Sequence, residues 1–459
     1  MPDSPPIPPR SAVFRRSLRR DFPVAVRGDG VYIWDADGKQ YLDLAGSAAV
    51  NFIGHGVPEI SAAMAEQAAK LEFVHTSQFT TPVAEQYAGQ LVAFAGEHFR
   101  GGAVYFTCGG SESIETALKL ARQYQVEIGQ TSRYQILSRQ QSYHGATLGA
   151  LSVSGNQRRR EIYLPMVKEF AHVGMPYCYR CAFDCTDGCR SCGQQYAAEL
   201  VQAIESLNNE SSNAEAAAFI FEPVSGATLG AVVPPPGYLQ SVAEICRRHG
   251  VLLIADEVMT GMGRTGRNFA VEHWKMNPDI LVTAKGLSSG YAPLGAVIAT
   301  KKVVDAIAAG SGAFLHGFTY NAHPISLAAG RAVLRQVQEK NMVEAADSSR
   351  PGSTAAQFKQ ALETLRDETV VGDVRGIGLL WAVEFVADKA TKRPFPLAHN
   401  FAARVAAAAL QRGLLVYPMQ GCVDGISGDH LLLAPPAVIT PSQINWSIEQ
   451  LAASIRETK

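Results

Sequence analysis

Asp256 and Lys285 are a carboxylate and an amine, each placed just after an apolar run. Val251 to Ala255 is continuous and partly β-branched, which predicts a strand buried on both faces with Asp256 at its carboxyl end. Open α/β sheets bind ligands at that edge. Ile280 to Val282, after the turn signal Asn277-Pro278-Asp279, leads through Thr283 and Ala284 to Lys285, with Gly286 behind it. An amine so placed can condense with a carbonyl, and a nearby carboxylate can keep a ring nitrogen protonated. Taken singly, such an Asp is more often a cap or turn former and such a Lys a solvated cation. Their pairing at two buried strand ends is what points to chemistry.

That pairing suits pyridoxal phosphate (PLP), which forms a Schiff base with a lysine and absorbs electrons when a bond to a substrate α-carbon breaks. Around the two residues, LLIADEV, G-x-G-R-T-G, NPDI, TAKGLSSG and PLGAV follow one another in the order and spacing of the class III (ω-) aminotransferases. The chain resembles that family from about residue 22 to 455. The resemblance implies PLP fold type I, aspartate aminotransferase-like: a large α/β domain with a mostly parallel sheet, and a small α+β domain built from both chain ends. The corresponding divisions are 1–60 for an N-terminal segment of the small domain, 61–325 for the PLP-binding domain and 326–459 for the C-terminal part.

Several elements must position this pair. Phe22 to Asp43 alternates around Asp-Gly turns and predicts a meander of short strands. Pro58 to Leu71 and Pro82 to Phe94 have helical spacing. Ala103 to Thr107 reads as a strand, and CGGSESIETALKLARQY as a glycine-rich turn opening a helix, so that Gly109, Gly110 and Ser111 offer backbone N–H groups to a phosphate. Taken alone this is an ordinary capped helix; the resemblance makes Gly110 and Ser111 the phosphate cradle. After the strand Tyr134 to Ser138 comes SYHGATLGALSVSG, similar to the family's Y-H-G element, which implies that Tyr143 stacks on the cofactor ring while His144 and Gly145 shape the site. Ala216 to Phe221 predicts a strand ending at Glu222, whose carboxylate the resemblance puts near cofactor and substrate. It also puts Val258 against the cofactor. The segment Gly237 to Gly250 predicts an amphipathic helix with a basic last turn and a glycine cap. FLHGFTYNAHPISLAAGRAVL resembles the family's H-G-x-T-Y segment and implies that Thr319 reaches the PLP phosphate of the other subunit, making a homodimer with shared sites and leaving open its pairing into tetramers.

Four departures from the family pattern bear on substrate. Ala227 stands where ornithine and γ-aminobutyrate aminotransferases have a glutamate, Met259 replaces a glutamine common in relatives, and residues 418–428 (PMQGCVDGISG) hold no arginine to grip a substrate carboxylate. Small Ala48 and Ala49 occupy a place where relatives often have a bulky aromatic, which predicts a roomier pocket.

The 459 residues carry 41 basic and 42 acidic side chains, for a net charge of -1, so no global field draws nucleic acid or an anionic membrane. No apolar run is long enough to span a bilayer, and the N-terminus has no secretory h-region. The arginines Arg10, Arg15, Arg16, Arg19 and Arg20 mimic a mitochondrial presequence, but the proline-rich opening is a poor amphipathic helix, and the expected location is cytoplasmic.

Five of the eight cysteines fall in PYCYRCAFDCTDGCRSCG. The pairs Cys178/Cys181 and Cys189/Cys192 have zinc-ligand spacing, with Cys185 surplus to a tetrahedral site. The intervening segment is shorter than in common zinc ribbons, and reduced structural thiols are the reading adopted, with no metal assigned.

The expected function is transfer of an amino group from a terminal amine or ω-amino acid to an oxo acid, pyruvate rather than 2-oxoglutarate, in two half-reactions. The alternatives are another PLP reaction on this fold (aminomutase, ammonia lyase or decarboxylase), a metal or redox sensor built on the cysteines, and a pseudoenzyme.

Overall fold

The computed structural model describes residues 11–183, 189, 191–209 and 214–459. Arg10 with the proline-rich opening, and Cys185, lie outside the described residues.

The centre is a seven-stranded sheet in the spatial order Ala103–Thr107, Gly295–Ala299, Ile280–Thr283, Leu252–Asp256, Glu215–Phe221, Arg133–Arg139 and His172–Val173. Gly295–Ala299 runs antiparallel to both its neighbours, and the other adjacent pairs are parallel. Strands covered by helices on both faces must be apolar throughout, and every residue of Leu252–Asp256 and of Ile280–Thr283 is buried. One face packs on Ile114, Ala117, Ala121 and Val303, and the other on a larger core that includes Phe219, Phe221, Leu239 and Val242.

The helices that cover this sheet carry their own start and stop signals. Tyr238–His249 lies between Gly237 and Gly250, both in the left-handed region (φ 80° and 66°) that favours glycine. Arg247, Arg248 and His249 oppose the negative end of its dipole. Pro82–Phe94 opens with Pro82 after Thr81, whose hydroxyl accepts from the N–H of Ala84 at 3.3 Å.

Both chain ends meet away from this sheet. Ala25–Asp29, Tyr32–Asp35 and Gln40–Asp43 form the expected meander, and Leu414–Leu415 adds to it in parallel. Val371–Ile377, Leu380–Phe385, Asp429–Leu433 and Tyr417–Gln420 make a second, antiparallel sheet. Arg264 of the GMGRTG loop ties these parts together. Its buried guanidinium donates to the carbonyls of Asn51, Ala434 and Pro435 at 2.9, 3.0 and 2.6 Å. Burial lowers its pKa to about 9 against the opposing pull of Asp43. The result is an α/β fold with a mostly parallel central sheet and smaller sheets built from both ends. Among the described residues no helix is long and apolar enough to cross a membrane.

Candidate active site

Asp256 is the last residue of its strand, so its side chain emerges at the carboxyl edge of the sheet while remaining buried. Oδ1 accepts from the N–H of Val258 at 3.1 Å, and Oδ2 lies 2.7 Å from Nδ1 of the buried His144. An ionised carboxylate can only accept, which assigns the ring proton to Nδ1. Nε2 of His144 is buried without a partner among the described residues.

Lys285 follows the neighbouring strand and opens a short 3₁₀ turn, Lys285–Leu287. Its φ of 44° is left-handed, as is that of Ser289 at 52°. Non-glycine residues avoid this region, and such strain gathers at functional sites. Desolvation lowers the amine to about pKa 8, against the opposing pull of Asp256 and Glu222. Glu222, just beyond Glu215–Phe221, is pushed upward by its own burial and by Asp256. Its Oε1 accepts from the N–H of Gly226 at 3.1 Å, and Oε2 is buried without a partner among the described residues.

Gly110 begins the eighteen-residue helix Gly110–Glu127, and Gly109 before it supplies no side-chain cap. The first N–H groups of a helix have no partner within it, and with no side-chain cap here they suit an anion. A Cβ on Gly109 would meet nothing within 4 Å, whereas one on Gly110 would lie 3.1 Å from Cγ1 of Val258. Ser111 Oγ accepts from the N–H of Ala146 at 3.0 Å. A Cβ on Gly145 would come within 2.7 Å of that oxygen, so only glycine fits there.

One cavity of about 480 Å³ gathers Gly110, Ser111, Tyr143, His144, Glu222, Asp256, Val258 and Lys285. Thr319 is not among them. It lines a separate cavity with His75, Thr76, Tyr105 and His316. Ala48 and Ala49 do not line the Lys285 cavity either. With Ser47 they form a left-handed run (φ 50°, 65° and 60°) that turns Val50 to the wall instead. Met259 and Val224 complete an apolar side, backed by Ala227, Ala49 and Met419.

Arg159 was not singled out from the sequence. Its guanidinium carbon sits 4.2 Å from the centroid of the Tyr143 ring, and its charge acts on Lys285. Among the described residues it forms no ion pair; it also lines a cleft with Thr228, Met419 and Gln420. The run Arg158-Arg159-Arg160 soon after the Y-H-G element was the available signal, and only the fold shows which of the three turns to Tyr143.

These walls fit PLP. An uncapped helix end suits a phosphate, the Tyr143 ring suits an aromatic face, and the Asp256–His144 pair suits a protonated ring nitrogen. Glu222 Oε2 and His144 Nε2, buried without a partner among the described residues, belong to side chains lining this cavity and call for polar company.

A family model for class III aminotransferases matches residues 15–455. The chain is 38% identical over 451 residues to an aminotransferase of Bacillus subtilis, YodT, covering 98% of this chain and 97% of that one. It also resembles the solved structure of an amine transaminase from an uncultivated Pseudomonas species in a PLP-bound form (TM-score 0.88, 34% identity, 98% of each chain). A thermostable (S)-enantioselective ω-transaminase from Thermomicrobium roseum is similar at TM-score 0.85 and 37% identity, over 96% of this chain and 94% of that one.

Proposed function

The chain belongs to the class III aminotransferase family, whose members use PLP, and we propose that it moves an amino group from a terminal primary amine or ω-amino acid to an oxo acid, with pyruvate preferred over 2-oxoglutarate. The observation that carries this reading is that Lys285, the Asp256–His144 pair and an uncapped helix start line one cavity.

In this reading Gly110 and Ser111 hold the cofactor phosphate, Tyr143 covers its ring and Asp256 holds the proton on its ring nitrogen. When bound, the cofactor supplies an electron-accepting ring that stabilises negative charge at the substrate α-carbon. Lys285 takes the α-proton, and its lowered pKa leaves a useful share of neutral amine near neutral pH. The amino donor departs as an oxo product before the acceptor enters, so one site serves both in turn. Val258 packs beneath the phosphate end and Glu222 orients polar substrate atoms.

Arg159 is the group we assign to the substrate carboxylate in place of the arginine missing from residues 418–428. Among the described residues it forms no ion pair, and it lies over the Tyr143 ring while lining a cleft with Thr228 and Met419. One cation matches the single carboxylate of pyruvate, whereas 2-oxoglutarate carries two. We assign Thr319, which lines a separate cavity, to the cofactor phosphate of a second copy, which would make the working unit a homodimer.

The test is a single turnover of PLP-loaded protein with a panel of amines and ω-amino acids, without acceptor. One oxo product released per site, followed by faster formation of alanine from pyruvate than of glutamate from 2-oxoglutarate, supports the reading. Release of ammonia or carbon dioxide without amination of either acceptor overturns it.

A further inference from the structure

Four cysteines of the cysteine-rich segment, Cys178, Cys181, Cys189 and Cys192, are among the described residues. Cys178 opens the short turn Cys178–Arg180, and Cys181 ends it. Cys192 is the first residue of the eighteen-residue helix Cys192–Asn209. The sulfurs of Cys178, Cys189 and Cys192 all lie within 4.8 Å of one another. A disulfide would explain two converging sulfurs and leave the third without a reason. From the ideal Zn–S length, sulfurs around tetrahedral zinc stand about 3.8 Å apart, so closing on an ion requires shifts of roughly 1 Å or less.

We propose that Cys178, Cys189 and Cys192, with Cys181 as fourth ligand, form a structural site for a zinc ion. Cys181 caps the turn that carries Cys178. Its sulfur accepts from the Tyr196 hydroxyl at 3.8 Å, and Tyr196 lies one turn into the helix that begins at Cys192. Cys178 on the turn thus converges with the Cys189/Cys192 pair at the helix start, and Cys181 closes the same turn. Thiolate at the first residue of a helix is favoured by the dipole and by unpaired N–H groups. Four sulfurs with no carboxylate or imidazole among them select zinc over harder ions such as magnesium or calcium. Cys192 is buried and the other three are half-buried, which describes a closed site without an open position for substrate. None of the four lines the Lys285 cavity.

The ion would staple the turn to its helix. Next to the turn, Tyr177 and Arg180 both bond Glu384 in the strand Leu380–Phe385, so the staple also steadies the contact between the central sheet's cover and the antiparallel sheet.

The experiment is elemental analysis of the full-length, PLP-loaded protein purified without added metal. About one zinc per chain is expected. It should vanish in Cys189→Ser and Cys192→Ser and persist in Cys246→Ala, whose sulfur is buried elsewhere. Should the serine variants fail to fold, cobalt exchanged into the unaltered protein must show sulfur-to-cobalt charge-transfer absorption, and X-ray absorption at the zinc edge a first shell of sulfur. Protein that retains activity with only trace zinc, that holds iron in place of zinc, or that yields a Cys178–Cys189 disulfide on non-reducing mass mapping would overturn the proposal.

Discussion

His144 and Asp256 are 112 residues apart in the chain, yet Nδ1 of one lies 2.7 Å from Oδ2 of the other with both side chains buried. The carboxylate is held by this bond and by the N–H of Val258, so its position does not depend on a ligand. Replacing Asp256 with Asn keeps the shape and removes the charge. Turnover should fall by about 10²-fold or more while PLP remains bound through its phosphate, measured as kcat beside cofactor affinity. His144→Ala should leave the charge and loosen its placement, giving a smaller loss.

Lys285 should behave as an unusually weak base. In the cofactor-free chain, its folded pKa of about 8 lies below the ordinary 10.5, so between those values the unfolded chain binds more protons and stability rises with pH. At pH 7 the buried ammonium is a liability, and Lys285→Met should stabilise the cofactor-free protein by on the order of 2–3 kcal/mol. The difference should shrink above pH 8 in denaturant titrations. The same variant should have no turnover.

Arg159→Ala should raise KM for pyruvate and for ω-amino acids by about 10–100-fold, the loss of one charge-assisted contact. Amines without a carboxylate should be used as before. Arg159→Lys should recover part of the affinity. Equal losses for both substrate kinds would mean that Arg159 serves Tyr143 rather than the substrate.

The carboxylate of Glu384 accepts from Arg180 Nε and Arg375 Nη1 at 2.7 and 2.8 Å, and from the Tyr177 hydroxyl. Burial alone would raise its pKa, but the two guanidinium groups hold it below the usual carboxylate range. Its contribution is present above the ordinary glutamate pKa and is lost as pH falls through the depressed one. Glu384→Gln should cost about 3–5 kcal/mol at pH 7 by leaving the half-buried Arg180 and Arg375 short of a charged partner, and less in acid.

Thr319 offers a test of shared sites. If it serves a second copy, mixing Lys285→Ala with Thr319→Val chains creates dimers having one site with both intact residues. Activity of the refolded mixture should exceed that of either parent. A mixture no better than the average of the two would place Thr319 outside the partner's site.

Asp256, Lys285 and Glu222 were legible from sequence because each ends a run too apolar to be anything but a buried strand, and parallel strands deliver their carboxyl ends to one edge. The uncapped helix start at Gly110 was legible because glycine before a helical face supplies no side-chain cap. Element bounds shifted by a residue or so, as with Leu252–Asp256 against the expected Val251 to Ala255, since hydrogen bonding and not hydropathy closes a strand. Distances across the chain were another matter. No local pattern states that His144 meets Asp256, that Arg159 rather than Arg158 or Arg160 turns to Tyr143, or that Val50 and not Ala48 faces the cavity. Nor does spacing alone bring Cys178 to Cys189 and Cys192. Such contacts depend on how separate elements pack and on where a strained turn aims a side chain. Local composition fixes the elements and their chemistry; their meeting is a property of the folded chain.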